Sequence, residues 1–194
     1  KEIIGEKGEL VCIESFPSMP IGFWNDDNGQ KYFNAYFKKF SNVWTHGDYS
    51  EITKNKGMVI YGRSDAVLNP GGVRIGTAEI YRQVESFDDI SEAICVSQEW
   101  GDDSRIILFV RMNQNKILDN ELKNEIVQKI KINASPRHIP SKIISIKDIP
   151  RTISGKITEL AVREVIHNRS VKNKEALANP EALSYFKDLE DLKD

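Results

Sequence analysis

Three short polar segments of the 194-residue chain carry the side chains that could do chemistry. Residues 45–48 (THGD) and 62–65 (GRSD) each set charged side chains beside a glycine, and residues 149–157 (IPRTISGKI) carry a lysine behind a small turn. The Ser-Gly pair before Lys156 allows a tight turn with unusual backbone angles. The segment therefore suits a cation that is delivered into a site, although a solvated strand-to-helix connection has the same local sequence.

Other catalytic and metal-binding patterns are weak in this sequence. The histidines, His46, His138 and His167, lie far apart and have no paired cysteine or carboxylate motif that would hold a metal. No nucleophile elbow supports a Ser-His-Asp system, although the sequence does not exclude one. The aromatic stretch between residues 23 and 44 could stack nucleic-acid bases, but few basic residues flank it, which favours packing.

The composition favours a folded protein that binds anions locally. Hydrophobic residues make up 40% of the chain, and a formal net charge of −2 indicates no broad surface for nucleic acid or anionic lipid. No apolar stretch approaches the roughly 20 residues that cross a bilayer. Both cysteines, Cys12 and Cys95, lie in apolar runs that are typical of core positions, so we expect a cytoplasmic protein. The charged start without methionine favours a piece of something larger.

The first third of the chain has the pattern of short strands. The GMVIYG segment follows a turn, as in a hairpin, and the glycine-rich residues 63–76 predict a loop and linker. This places a domain boundary at about Asp65. The predicted strands are residues 8–15, 43–45, 49–53 and 57–62, with the HGD segment as a turn between the second and third.

The second part alternates helices with strands. Thr77 can cap a helix that has apolar residues at helical spacing, and Asp119 can cap a longer one. The order helix, strand, strand, helix, strand, helix implies an α+β fold with helices covering a small sheet. The strands are predicted at residues 94–96, 105–111 and 141–146, the longer helix has Leu122, Ile126, Val127 and Ile130 on one face, and the last helix spans residues 157–166.

The end of the chain predicts an appended tail rather than an independent domain. From about residue 172 it is charged, and Pro180 interrupts it. We expect this tail to dock through Leu183, Tyr185 and Phe186.

Three blocks, VWTHGDYSEI, IYGRSDAVLNPGGVRIGTAEIYRQVE and IPRTISGKI, resemble the C-terminal part of adenylate-forming enzymes in their order and spacing. That superfamily contains acyl-CoA synthetases, peptide-synthetase adenylation domains and luciferases. The segments NPGGVRIGTAEIYR, KYFNAYFKKFSNVWTHGD and VIHNRSVKNKEALANPEAL are most similar to acetoacetyl-CoA synthetases; the last is an extension that simpler acetyl-CoA synthetases lack.

The resemblance implies an ATP-dependent ligase that forms acetoacetyl-CoA, AMP and pyrophosphate through an acyl-adenylate. Residues 1–64 would be the β-rich end of the large domain, and residues 65–194 the mobile lid domain, with an extension from about residue 168. ATP, Mg²⁺ and coenzyme A would be the cofactors, with acetoacetate as substrate. Mg²⁺ would be held mainly by a large N-terminal domain. The phosphate-binding loop of that domain and the acyl pocket are absent from these residues, so we expect little or no ligase activity from this chain alone.

The resemblance also assigns roles in adenylation. Lys156 would place its ammonium between the substrate carboxylate and the α-phosphate, and Asp48 would accept hydrogen bonds from the ribose hydroxyls. Arg63 and Arg74 would hold the nucleotide through their donor forks. Judged locally, Asp48 could equally stabilise a turn, and each arginine could form a surface ion pair.

For thioester formation, the resemblance brings Gly71 and Gly72 to the pantetheine chain of coenzyme A, because glycine leaves the backbone open. Lys131 corresponds to a basic residue that contacts the 3′-phosphate in some relatives, and Asp65 to the hinge of the lid. Local alternatives are a plain loop, a solvated lysine at a helix end and an ordinary turn residue.

Two other functions stay open at this point. One is another short-chain acyl-CoA synthetase of the acetyl or propionyl type, because the acyl pocket lies outside these residues. The other is a stand-alone nucleotide- or CoA-binding or interaction module that kept the lid and lost catalysis.

Overall fold

The computed structural model describes residues 2–193, which form two compact units. The first unit ends at Asp65 and the second begins at Ala66. None of the helices in the described residues has the length and apolar character that crossing a bilayer requires.

The first unit is built on a three-stranded antiparallel sheet with one short helix. Its elements are β1 (Lys7–Cys12), α1 (Gln30–Tyr36), β2 (Trp44–Ile52) and β3 (Met58–Arg63), and the strand order is β1-β2-β3.

Trp44, at the start of β2, is the packing centre of the aromatic stretch. Its indole stacks on Tyr36 at 3.7 Å between ring centroids, and Phe16 meets it edge-on at 5.3 Å. The packing interpretation therefore holds for Trp44 and the rings around it, whereas Trp24, Phe33 and Phe40 of the same stretch are exposed. The sequence reasoning missed α1, whose first turn is capped from outside: the Asp26 carboxylate accepts the amides of Lys31 and Tyr32 at 2.9 and 2.8 Å.

The prediction of two strands flanking an HGD turn was wrong, because β2 runs without interruption through these residues. Gly47 has a φ of 87°, and the ladders on both sides of β2 shift register nearby. The glycine therefore marks an irregularity within a paired strand, a role that glycine often has, and not a reversal of the chain.

The second unit is an α+β fold in the predicted order. Its elements are α2 (Thr77–Val84), β4 (Ile90–Trp100), β5 (Asp103–Met112), α3 (Asn120–Asn133), β6 (Lys142–Ser145) and α4 (Glu159–Ile166). Strand β5 is central, antiparallel to β4 and parallel to β6. The parallel pairing requires a crossover, which α3 provides.

Strands β4 and β5 are longer than predicted. Only Gly101 and Asp102 separate them, because polar residues such as Glu99 and Ser104 continue the ladder beyond the apolar run.

The central strand explains how the core is divided into two layers. Ile106, Leu108 and Val110 face the layer built with α2 and α3, whereas Ile107 and Phe109 face the layer built with α4 and the C-terminal tail. A strand buried on both faces has a continuous apolar run. Cys95 belongs to the first layer, where burial raises the pKa of its thiol, but Cys12 is only half-buried.

Two helix caps can be compared with prediction. Asp119 caps α3 as expected, accepting the Leu122 amide at 2.8 Å. Thr77 is instead the first residue of α2, and the cap position is Gly76, whose amide donates to Glu79 Oε1 at 2.9 Å. The Glu79 side chain caps the helix by accepting the Gly76 amide. Thr77 is therefore not needed as a cap and is buried.

The tail docks through the predicted apolar residues. Leu183 and Phe186 are buried and Tyr185 is partly buried against the second core layer. The Phe186 ring meets Phe109 edge-on at 4.9 Å. The tail is built of 3₁₀ turns at Lys174–Ala176, Pro180–Phe186 and Glu190–Leu192.

Candidate functional site

The first unit brings three of the predicted site residues into one cluster. Asp48 on β2 is the ladder partner of Arg63 on β3, and their side chains approach to 3.5 Å between Oδ1 and a guanidinium nitrogen. The same guanidinium reaches both carboxylate oxygens of Asp65 at 3.4 Å and the His46 carbonyl at 3.2 Å. The sheet pairing therefore sets an acceptor-only carboxylate beside a donor fork.

Gly47 makes this arrangement of Arg63 possible. A Cβ atom at Gly47 would lie 2.7 and 2.8 Å from the two terminal guanidinium nitrogens, which is closer than real Cβ atoms approach. The arginine thus lies over a strand position without a side chain. The glycine is needed both for its positive φ and for this close approach.

A cleft of about 540 Å³ lies beside this cluster in the first unit. Gly47, Arg63 and Asp65 contribute to its wall, as does Thr45. The Thr45 hydroxyl is buried and has no hydrogen-bond partner among the described residues. A buried hydroxyl without a partner costs free energy, and reasoning from sequence did not single out Thr45 as such a position.

Gly71 and Gly72 lie on a short 3₁₀ turn in the second unit. A bridge between Leu68 and Ile75 closes this loop at its base, and the Gly71 amide donates to Asp103 Oδ2 at 2.8 Å. The glycines have φ values of 58° and 75°, and no atom lies within 4 Å of the position that a Cβ of Gly72 would take. The loop therefore exposes backbone that a chain-like ligand could approach. Arg74 is exposed on the same loop.

A polar network at the end of this loop was not predicted. Glu79 accepts the Gly76 amide and lies 3.4 Å from His138 Nε2, while Ser135 Oγ lies 2.8 Å from His138 Nδ1. This chain of contacts ties the Gly71–Gly72 loop to the segment after α3. Glu79 and His138 are 59 residues apart, so no local sequence signal reveals the contact between them.

Lys131 lies in the last turn of α3 and is exposed. Within the described part of the chain its ammonium makes no hydrogen bond or ion pair. The Lys131 ammonium is therefore available to a ligand. The same exposure is also typical of a solvated lysine at a helix C-terminus.

Lys156 lies on a small hairpin that precedes α4. Arg151 and Ile157 pair across it, the Thr152 amide donates to the Lys156 carbonyl at 2.8 Å, and Gly155 turns the chain with a φ of 80°. The lysine side chain is exposed and has no hydrogen bond or ion pair with any other described residue. The ammonium therefore projects from a backbone of defined shape.

Charged residues on the sheet hold this hairpin, and sequence reasoning missed them. The Arg151 guanidinium is paired with Glu92 on β4 and also donates to the Gly155 carbonyl at 3.2 Å. Glu92 is shared with Arg111 on β5, at 3.0 Å, and Arg111 lies 3.4 Å from Asp148. Arg151 lies inside the IPRTISGKI segment, but its partners are distant in sequence.

Within residues 2–193, no three His, Cys, Asp or Glu side chains are grouped so that they could hold a metal ion.

The chain resembles acetoacetyl-CoA synthetases along its whole length. It is 62% identical to acetoacetyl-coenzyme A synthetase of Rhizobium meliloti and 48% identical to that of Danio rerio, covering 100% of this chain in both alignments. It spans 30% and 29% of the length of these curated relatives. No protein-family model matches the chain.

A solved structure agrees with this result. Acetoacetyl-CoA synthetase from Streptomyces lividans superposes with a TM-score of 0.88 at 36% sequence identity, over 95% of this chain and 28% of that one. The chain thus corresponds, over its whole length, to the C-terminal part of the acetoacetyl-CoA synthetases.

Proposed function

We propose that this chain acts as the C-terminal part of an acetoacetate-CoA ligase of the AMP-forming kind. The observation that carries the proposal is the exposed Lys156, whose ammonium makes no hydrogen bond or ion pair with another described residue. It lies on a well-defined hairpin, in a chain that matches acetoacetyl-CoA synthetases from end to end. The first unit would be the end of the large domain and the second unit the lid, with Asp65 as the hinge.

The first half-reaction is the attack of the acetoacetate carboxylate on the α-phosphorus of ATP. A new O–P bond forms, the bond to the β-phosphate oxygen breaks, and pyrophosphate leaves. Negative charge crowds between carboxylate and phosphate as they approach, so a preorganised cation lowers the barrier. Lys156 is assigned this task, because a compact charge on a flexible stem can enter and leave a site.

In the proposed site, the cluster in the first unit orients the nucleotide. Asp48 would accept hydrogen bonds from the ribose hydroxyls, and Arg63, held over Gly47, would present its remaining donors to the nucleotide. Arg74 would contact phosphate from the second unit. Holding the α-phosphate in line with the carboxylate would lower the barrier further, because the reacting groups are already positioned. Mg²⁺ would be held mainly by the large N-terminal domain.

In the second half-reaction the thiol sulfur of coenzyme A attacks the acyl carbon. A C–S bond forms, the C–O bond to AMP breaks, and the thiol proton passes to solvent. The open backbone at Gly71 and Gly72 would border the pantetheine chain, and Lys131 would meet the 3′-phosphate. The proposed partners are thus the small molecules ATP, acetoacetate and coenzyme A. The cytoplasmic location stays a prediction.

The test is acyl-dependent ATP–pyrophosphate exchange by the protein as its gene encodes it. Acetoacetate should support exchange at least tenfold better than acetate or propionate at equal concentration. Faster exchange with acetate or propionate would instead support the acetyl- or propionyl-type synthetase. Tight binding of ATP or coenzyme A without exchange for any acid would support a binding module and contradict the ligase.

A further inference from the structure

The segment after α4 runs alongside the Lys156 hairpin. Leu177 forms an isolated antiparallel bridge with Thr152, so residues 176–179, here termed the brace, pair with one edge of the hairpin. Two backbone hydrogen bonds make this bridge, Ile153 N to Ala176 O (3.0 Å) and Ala178 N to Arg151 O (2.8 Å).

Asn179 adds a side-chain clamp to the brace. Its Oδ1 accepts the Arg151 amide at 2.8 Å, and its Nδ2 donates to the Ile149 carbonyl at 3.0 Å and to Asp148 Oδ2 at 2.8 Å. The side-chain amide supplies the acceptor through its oxygen and both donors through its NH₂ group. The clamp therefore holds residues 148–151, which lead into the hairpin.

The brace itself is anchored in the core. Leu177 is buried at one end, and the tail beyond Asn179 leads to Phe186, which packs on Phe109 in the second core layer. The tip of the hairpin, residues 153–156, is exposed throughout, so no buried side chain of the tip holds it in place. Its orientation depends on hydrogen bonds along its edges and on the Arg151–Glu92 pair.

We infer that Asn179 is a positioning residue for Lys156, acting through the brace to fix the direction in which the lysine projects. This inference rests on the proposed function of Lys156. Asn179 does not contact the lysine side chain; it sets the backbone that carries it. Misplacement of a reacting group by about 1 Å costs up to roughly 100-fold in rate, so the clamp is expected to affect adenylation selectively.

The experiment compares Asn179→Ala with the wild-type protein, expressed as its gene encodes it, in the two half-reactions. Acetoacetate-dependent ATP–pyrophosphate exchange should fall by about 10- to 100-fold. Coenzyme A consumption from preformed acetoacetyl-adenylate should change less than about twofold, because Lys156 acts only in adenylation. Asn124→Ala, on the exposed side of α3, is the matched control and should leave both rates unchanged.

A double variant separates positioning from a general loss of structure. In a Lys156→Ala background, Asn179→Ala should cause no further loss of exchange, since it acts through the lysine. Equal losses in both half-reactions, or losses that multiply in the double variant, would overturn the inference. So would an unchanged rate of exchange.

Hydrogen exchange gives a readout that does not depend on activity. The Ile153 amide, bonded to the brace, should lose protection in Asn179→Ala, and unchanged protection would overturn the inference. If the wild-type protein shows no acetoacetate-dependent exchange, the proposed function fails, and this hydrogen-exchange result still decides whether Asn179 holds the hairpin.

Discussion

At the scale of single residues, the cluster of Asp48, Arg63 and Asp65 depends on a glycine as much as on its charges. Sequence patterns can single out the charged side chains of Asp48 and Arg63. Gly47 has no side chain, and this allows the Arg63 guanidinium to lie over strand β2. The position of the Arg63 guanidinium thus depends on the backbone conformation at Gly47. A change at Gly47 should therefore act on nucleotide binding without removing a charge.

Gly47→Ala is expected to weaken ATP binding by about tenfold, equivalent to about 1.4 kcal/mol. The new Cβ would displace the Arg63 guanidinium, and the positive φ adds a destabilisation of about 1 kcal/mol. Titration calorimetry with ATP measures the first effect and urea unfolding the second. Gly22→Ala, at an exposed glycine with open space around it, is the control. Unchanged ATP affinity in Gly47→Ala would contradict the role of Arg63.

At the scale of elements, polar contacts join the Gly71–Gly72 loop and the Lys156 hairpin to the sheet of the second unit. The Lys156 hairpin is held from two directions, by Arg151 pairing with Glu92 on β4 and by the brace. The brace depends in turn on the docking of the tail, for which Phe186 is the buried anchor. The C-terminal tail is thus part of the folded unit.

Phe186→Ala should lower the free energy of unfolding of the second unit by about 3–5 kcal/mol, because it leaves a cavity against Phe109. Urea unfolding followed by circular dichroism gives this value, with Lys187→Ala, an exposed neighbour, as the control. A loss below about 1 kcal/mol would mean that the tail is not anchored there and would weaken the case for the brace.

Sequence patterns predicted the second unit better than the first, for a physical reason. Ile126 and Ile130 recur at helical spacing, and Asp119 caps their helix, so local signals agree with the fold. Helix α1 was missed because Asp26 caps it from outside its first turn. The β2 strand was divided in prediction because Gly47 has the sequence signature of a turn but lies in a continuous ladder.

The candidate site was predicted only in part. Asp48, Arg63, Gly71 and Lys156 lie in short motifs whose residue types indicate their chemistry. The groups that orient them have no such sequence signal. Glu92 and Asn179 contact the Lys156 hairpin at Arg151, from which they lie 59 and 28 residues away in sequence. Contacts at that separation depend on the tertiary fold, and no local pattern encodes them.

At the scale of the whole molecule, the proposed function gives the two half-reactions to different features of the chain. Adenylation would require the Lys156 ammonium, while thioester formation would use the open backbone of the Gly71–Gly72 loop and the cation of Lys131. A single lysine should therefore be essential for one chemical step and dispensable for the other.

The most direct test is Lys156→Ala in the protein as its gene encodes it, with both half-reactions measured. Acetoacetate-dependent ATP–pyrophosphate exchange should fall by about 10²- to 10³-fold, the usual effect of removing one preorganised charge contact. Coenzyme A consumption from preformed acetoacetyl-adenylate should persist, and Lys172→Ala, at another exposed lysine, should behave like the wild-type protein. If both half-reactions proceed at wild-type rates in Lys156→Ala, the lysine belongs to an ordinary surface loop and the account is contradicted.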